Sequence, residues 1–192
     1  MAHNDVEVEI KVKLTKKKFE SVEKLVKKTS KFVKSSHHID DYYLPKQKSF
    51  LKPKYPYEWL TIRLRDGKTL LNYKHWYPEG IKDTTHCDEY ETEVLDSKSL
   101  HKLLTALNFE KFITVEKQRR VYIYKNNIEI AFDGVKGLGN FLEVESLKNF
   151  GGVKKTHQKL VEHLNHLGIK DTSTIPGGYA SEIMRKRGLL KN

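Results

Sequence analysis

The chain has 192 residues, enough for a single domain spanning residues 1–192 with a real core, and 32% of them are charged, for a formal net charge of +11. One cysteine, Cys87, excludes an internal disulfide framework and fits a reducing compartment. No apolar run has the length of a signal or approaches the roughly 18 residues of a membrane span, so a cytoplasmic protein with no membrane partner is expected.

The positive balance points to a polyanion as partner: nucleic acid, a nucleotide or polyphosphate. Many lysines, from Lys16 to Lys34, fall in or just after one helical segment, where a solvated helix face accounts for them equally well. Residues 6–14, VEVEIKVKL, alternate without a break: Val6, Val8, Ile10, Val12 and Leu14 on one face, Glu7, Glu9, Lys11 and Lys13 on the other. That is a strand with one apolar and one wholly charged face. Thr15 can cap a helix to about Lys28, with Phe19, Val22, Leu25 and Val26 on its apolar side. His37 to Leu44 reads as a strand, and Pro45 to Trp59 as a loop whose aromatics make it a lid or a packing segment.

Leu60 to Arg65 alternates again, with Thr61, Arg63 and Arg65 on the polar side; Asp66-Gly67 turns it into a return strand, Lys68 to Trp76, that carries Lys74. The next strand holds Glu89, Glu91 and Glu93 at every second position, and a short helix follows Asp96 or Ser97, with Leu100, Leu103, Leu104 and Leu107 on one face. Phe112 to Tyr124 is a long strand with Lys117 and Arg119 on one face. Ile128 to Asp133 and Phe141 to Leu147 place Glu129 and Asp133, then Glu143 and Glu145, opposite apolar partners. A helix from about Val153 to Leu167 closes at Gly168, and Tyr179 to Leu190 reads as a terminal helix.

Strand after strand carries one apolar face and one face dense in both signs of charge. The fold expected is α+β, mostly antiparallel: an eight-stranded closed barrel whose charged positions line a wet lumen and whose apolar exterior is covered by helices. Unpaired charges in a dry interior cost several kcal/mol each, so water and a charged ligand must fill that lumen. Lys11, Arg63, Arg65, Lys74, Lys117 and Arg119 suit phosphate oxygens. Glu7, Glu9, Glu89, Glu91, Asp133, Glu143 and Glu145 suit hard cations such as Mg²⁺ or Mn²⁺. A nucleic-acid groove would not place so many carboxylates on the same face, so no nucleic-acid partner is expected. His37 and His38 point to opposite faces of a strand and are poor joint ligands. Cys87 stands alone, and Asp40 and Asp41 read as structural.

The run Glu7-Val-Glu9-Ile-Lys11 resembles the ExExK opening of the CYTH superfamily, the triphosphate tunnel metalloenzymes. Arg63-Leu-Arg65 before a hairpin, Lys74 in LNYKHW and Glu89-Tyr-Glu91 resemble that family's later strands. TVEKQRRVYIY, FDGVKGLGNFLEVE and Pro176-Gly-Gly-Tyr179 are most similar to its class IV adenylyl cyclase branch. The resemblance covers nearly the whole chain. It implies an eight-stranded tunnel holding ATP or another triphosphate with one or two Mg²⁺ or Mn²⁺ ions, bound by Glu7, Glu9, Asp133, Glu143 and Glu145. Lys11, Arg63, Arg65, Lys74, Lys117 and Arg119 would clamp the phosphates, Glu89 and Glu91 would add lumen acids, and Glu7, Glu9, Lys11 and Lys117 would act in the reaction. Family relatives suggest a homodimer, which no residue here compels. Two readings of the chemistry stand open, ATP cyclisation and triphosphate hydrolysis, with a non-catalytic polyphosphate- or RNA-binding module as a third. The chain departs from the family at His86-Cys87-Asp88, where a basic residue is usual, and in the 45–59 loop, both where the organic part of a substrate would be read.

Overall fold

A computed structural model describes residues 6–172, 175 and 177–190. Pro176 of the family-like tail lies outside them. The strands are β1 (Val6–Glu7), β2 (Glu9–Leu14), β3 (Lys31–Pro45), β4 (Glu58–Arg65), β5 (Lys68–Tyr77), β6 (His86–Val94), β7 (Phe109–Tyr124), β8 (Ile128–Val135) and β9 (Gly139–Ser146). The helices are α1 (Lys16–Thr29), α2 (Ser97–Ala106), α3 (Val153–His166) and α4 (Gly178–Lys186).

All nine strands form one antiparallel sheet in the order β1-β6-β5-β4-β3-β7-β8-β9-β2. Its two ends are consecutive pieces of one segment. Glu7 pairs with Cys87 of β6, and Glu9 pairs with Glu145 of β9. The segment 6–14 is therefore not the single unbroken strand its alternation predicts. It divides at Val8, whose carbonyl still accepts from Ser146 N at 3.0 Å, and the strand count becomes nine instead of eight. A twisted sheet that curls back on itself brings its two edge strands together at an angle, so one straight strand cannot satisfy both. The division closes the barrel.

The alternation is borne out on the outside wall. Ile10, Val12, Ile130, Phe132, Leu142 and Val144 are buried against Phe19, Val22 and Val26 of α1 and Leu160 and Leu164 of α3. Thr15 caps α1 by accepting from Lys18 N at 3.3 Å. On the far side Leu104 of α2 packs on Tyr43 and Ile62. Leu103 and Leu107, expected on the same apolar face, are exposed, because this short helix touches the sheet along a single ridge.

Several elements differ from expectation: β7 starts at Phe109, β8 runs to Val135, β9 spans Gly139–Ser146, and the terminal helix ends at Lys186, short of Leu190. β3 starts at Lys31, ahead of the predicted His37, because it pairs from Lys31↔Ile123 onward with β7, through backbone bonds that leave no alternation in residues 31–35. The loop shortens to residues 46–57, and Leu51 packs toward Trp59 and Tyr179. The terminal helix α4 does not lie on the wall. Tyr179, Ala180 and Met184 pack with Trp59, Ile113, Val115, Val135 and Phe141, so α4 covers one end of the lumen. Among the described residues, no helix is long and apolar enough to cross a membrane.

Candidate active site in the barrel lumen

The lumen is a cavity of about 250 Å³ lined by the inward positions of the strands. Glu7, Glu9, Lys11, Arg63, Arg65, Lys74, Glu89, Glu91, Lys117, Arg119, Glu143 and Glu145 all face it, as the alternation requires. Segments separated by more than a hundred residues meet there because the ladders put Lys11 opposite Glu143, Lys74 opposite Glu89 and Arg119 opposite Asp133.

One side is acidic. Glu7, Glu9 and Glu145 each offer a carboxylate oxygen, and these oxygens lie within 4.8 Å of one another, as a group that could hold a metal ion. Burial, only partly offset by Lys74 and reinforced by Glu9, pushes the Glu7 carboxyl up to about 7. Burial, with Glu7 and Glu9 nearby, holds Glu145 well above the usual carboxylate range. Three carboxyls this close, one buried and two half-buried, are short of positive charge, and a bound cation would supply it.

The cations are held in place by other acids. Lys11 Nζ lies 3.0 Å from Glu9 and 2.9 Å from Glu143. Lys74 pairs with Glu7 and lies 3.5 Å from Glu89. Arg63 Nη1 donates to Glu89 and Glu91, each at 3.1 Å, and Arg65 Nη2 donates to Glu91 at 3.3 Å. Arg119 reaches Glu143 at 2.9 Å. Burial and the neighbouring Arg119 charge lower the Lys117 ammonium to about 8, despite Asp133.

Asp133 is the site residue the structure places otherwise. It is fully buried behind the lumen wall, where Arg119 Nε and Nη2 donate to it at 2.7 and 2.6 Å, Lys117 Nζ at 3.1 Å and the Tyr179 hydroxyl at 2.7 Å. Three of these donors converge on Oδ2 and one on Oδ1, and with them around it Asp133 does not line the cavity. Alternation gives the face of a strand but not the depth along it. Lys11 and Lys117 also lie over the Tyr179 ring, at 4.7 and 5.0 Å from its centroid.

Sequence reasoning left Asp40, Tyr42, Thr61, Asn72, Glu129 and Tyr179 out of the proposed site, yet all six line the cavity. The signal was present: Asp40 shares its strand face with Tyr42, as Thr61 does with Arg63 and Asn72 with Lys74. Asn72 Nδ2 donates to Glu89 and to Glu91, the latter at 3.1 Å. The remaining residues behave as bland parts of the fold. His38 points inward to Ser36 at 2.8 Å, while His37 points outward to Glu116 at 3.2 Å. Asp41 faces outward to Lys111 at 2.9 Å, and Glu93 pairs with Lys68 at 2.7 Å. The Cys87 thiol is buried, donates to Glu7 at 3.3 Å, and is pushed far up by burial, so it is no nucleophile.

Comparison with known proteins agrees with this geometry. The chain is 32% identical over 175 residues to a candidate adenylate cyclase of Methanocaldococcus jannaschii, covering 91% of this chain and 96% of that one. The structure of the PH1819 protein from Pyrococcus horikoshii superposes with a TM-score of 0.75 at 29% identity, covering 94% of this chain and 99% of that one. A Hippeastrum protein, described as a candidate adenylyl cyclase with a dominant triphosphatase activity, shares the fold with a TM-score of 0.62 at 14% identity over 97% of each chain. The CYTH domain matches residues 5–179, nearly the whole sequence, and the chain belongs to that family.

Proposed function

We propose that this protein is a divalent-metal-dependent enzyme acting on triphosphates, with ATP as substrate and cyclic AMP and pyrophosphate as products. The observation that carries the triphosphate reading is the charge balance of the lumen. Glu7, Glu9, Asp40, Glu89, Glu91, Glu129, Glu143 and Glu145 face Lys11, Arg63, Arg65, Lys74, Lys117 and Arg119. Carboxylates outnumber cations, so a bare polyanion would be repelled and a polyanion carrying Mg²⁺ or Mn²⁺ would be drawn in. Glu7, Glu9 and Glu145 would hold such an ion, which supplies charge neutralisation at phosphate oxygens.

The chain's own residues do the rest. Arg63, Arg65 and Arg119 present fixed guanidinium forks to phosphate oxygens, and Lys11, Lys74 and Lys117 add point charges. Because acids already hold these cations in position, little reorganisation is needed as charge builds on the leaving phosphate. For cyclisation, the ribose 3′-oxygen forms a bond to the α-phosphorus while the bond to the pyrophosphate oxygen breaks, and the 3′-hydroxyl proton leaves on the departing pyrophosphate or to water. Support for this reaction comes from the 32% identity to the M. jannaschii protein.

A second reading, hydrolysis at the terminal phosphorus, is favoured by α4. With Tyr179 and Met184 closing one end of the lumen, a phosphate chain that enters from the other end arrives terminal phosphate first. Incubation with ATP and Mn²⁺, followed by product separation, tests the two. Cyclic AMP with pyrophosphate supports the first reading; orthophosphate with ADP, or orthophosphate and pyrophosphate from tripolyphosphate, replaces it with the second. Release of no product from either substrate, with tight binding of both, would leave a binding module.

A further inference from the structure

Buried polar atoms without partners collect on one wall of the lumen. Asp40 Oδ1, Thr61 Oγ1, Arg63 Nε and Arg65 Nε are all buried and make no hydrogen bond, and all belong to the inward faces of β3 and β4. Asp40 is only 3% exposed. Its nearest charged neighbour, Arg63 Nε, stands 3.7 Å from Oδ2, beyond hydrogen-bond reach. On its other side the ladder places apolar Val115. A buried carboxylate oxygen with nothing to accept from is costly, and folded chains keep such groups where a ligand completes them.

The surroundings decide what can donate to Asp40. Burial favours its neutral form, but Arg63, Lys117 and Arg65 outweigh burial and keep it ionised. A metal ion is disfavoured in the midst of those three cations, and the acidic triad that suits one is formed by β1, β2 and β9, whereas Asp40 lies on β3. An ionised phosphate oxygen has no hydrogen to give and carries the same charge. A neutral O–H group remains. Such a group can donate to Asp40 while the phosphorus beside it is held by Arg63 and Arg65, whose Nε groups are free to donate to phosphate oxygens. Thr61, two residues before Arg63 on the same strand face, supplies a hydroxyl that can accept or donate at the same place.

We propose that Asp40, with Thr61, is the receptor for the attacking hydroxyl: its Oδ1 accepts the hydrogen bond of the nucleophile and aims its oxygen at the phosphorus clamped by Arg63 and Arg65. The O–H comes either from a ribose 3′-hydroxyl or from water, and the wall is the same for both. The inference rests on the triphosphate reading of the lumen and adds to it the group that orients the nucleophile.

The test compares wild type with Asp40→Asn and Thr61→Val, using ATP and tripolyphosphate with Mn²⁺. Asp40→Asn is expected to lower kcat about 100-fold and Thr61→Val about 10-fold, with KM for either substrate within threefold of wild type. Tripolyphosphate binding, measured by calorimetry, is expected to be unchanged or tighter in Asp40→Asn, because the phosphates do not touch Asp40 and one like charge has gone. If Asp40 serves only to brace Arg63, binding weakens tenfold or more and kcat stays within twofold, which overturns the proposal. The binding measurement decides this even without turnover, and Thr61→Val keeps the question open to refutation if Asp40→Asn does not fold. Cyclic AMP from ATP identifies the ribose hydroxyl as the donor, and orthophosphate from tripolyphosphate identifies water. A wild-type protein that binds neither substrate overturns the triphosphate reading itself, an outcome distinct from an active Asp40→Asn.

Discussion

At the scale of single residues, the lumen sets its titration behaviour by burial and local charge. The Glu7 carboxyl is pushed up to about 7, so in the metal-free protein it retains its proton well above the usual carboxylate range. Relative to an unfolded chain, the folded state then binds the extra proton between about pH 4.5 and 7 and loses that advantage as pH rises through 7. The melting temperature of the metal-free protein should therefore fall between pH 5 and 8, and added Mn²⁺ should restore it. Because that ion must displace the protons that Glu7 and Glu145 retain, calorimetry should show proton release on binding at pH 6.5, with apparent affinity rising by at least about tenfold per pH unit below 7. Glu145→Gln should weaken Mn²⁺ binding at least tenfold and remove most turnover. It should also raise the thermal stability of the metal-free protein, since it relieves the crowding of Glu7, Glu9 and Glu145. The Lys117 ammonium, lowered to about 8, should regain its proton on meeting a triphosphate, so substrate binding at pH 8.5 should take up protons.

At the scale of elements, the strand faces were readable because polar and apolar side chains alternate through all of β2, through residues 60–65 of β4 and through residues 142–145 of β9. Two limits follow from the same alternation. Asp40 and Asp41 are identical in sequence and opposite in fate, one inside beneath Arg63 and one outside on Lys111, and only the pairing of β3 with β4 decides which. Asp133 lies on the correct face yet does not line the cavity, because Arg119, Lys117 and Tyr179 cover it. The destination of α4 was also hidden, since an amphipathic helix of nine residues looks the same whether it lies along a wall or across an opening. Its packing makes a sharp prediction. Met184→Ala removes a fully buried side chain and should cost roughly 2–5 kcal/mol by denaturant titration. Tyr179→Phe keeps the ring under Lys11 and Lys117 but leaves Asp133 short of one donor, at a cost of about 1–2 kcal/mol.

At the scale of the whole molecule, charge is sorted by position. The lumen holds more acids than bases, so the surplus behind the net charge of +11 lies outside it, largely on exposed lysines such as those of α1. Substrate capture should accordingly be faster at low ionic strength than at high, while kcat stays constant, which stopped-flow binding at two salt concentrations would check.

The division of the opening segment at Val8 has a consequence for how the polypeptide assembles. Residues 6–7 find their backbone partners only in β6 and residues 9–14 only in β9, so the stretch waits unpaired until those distant strands have been made. Such distant pairings are slow to form, and until they do the nascent sheet keeps two open borders on which another chain could add. The same carboxylates that stud this waiting stretch keep it hydrated, so the groups assigned to catalysis also guard the chain against sticking to its neighbours during synthesis.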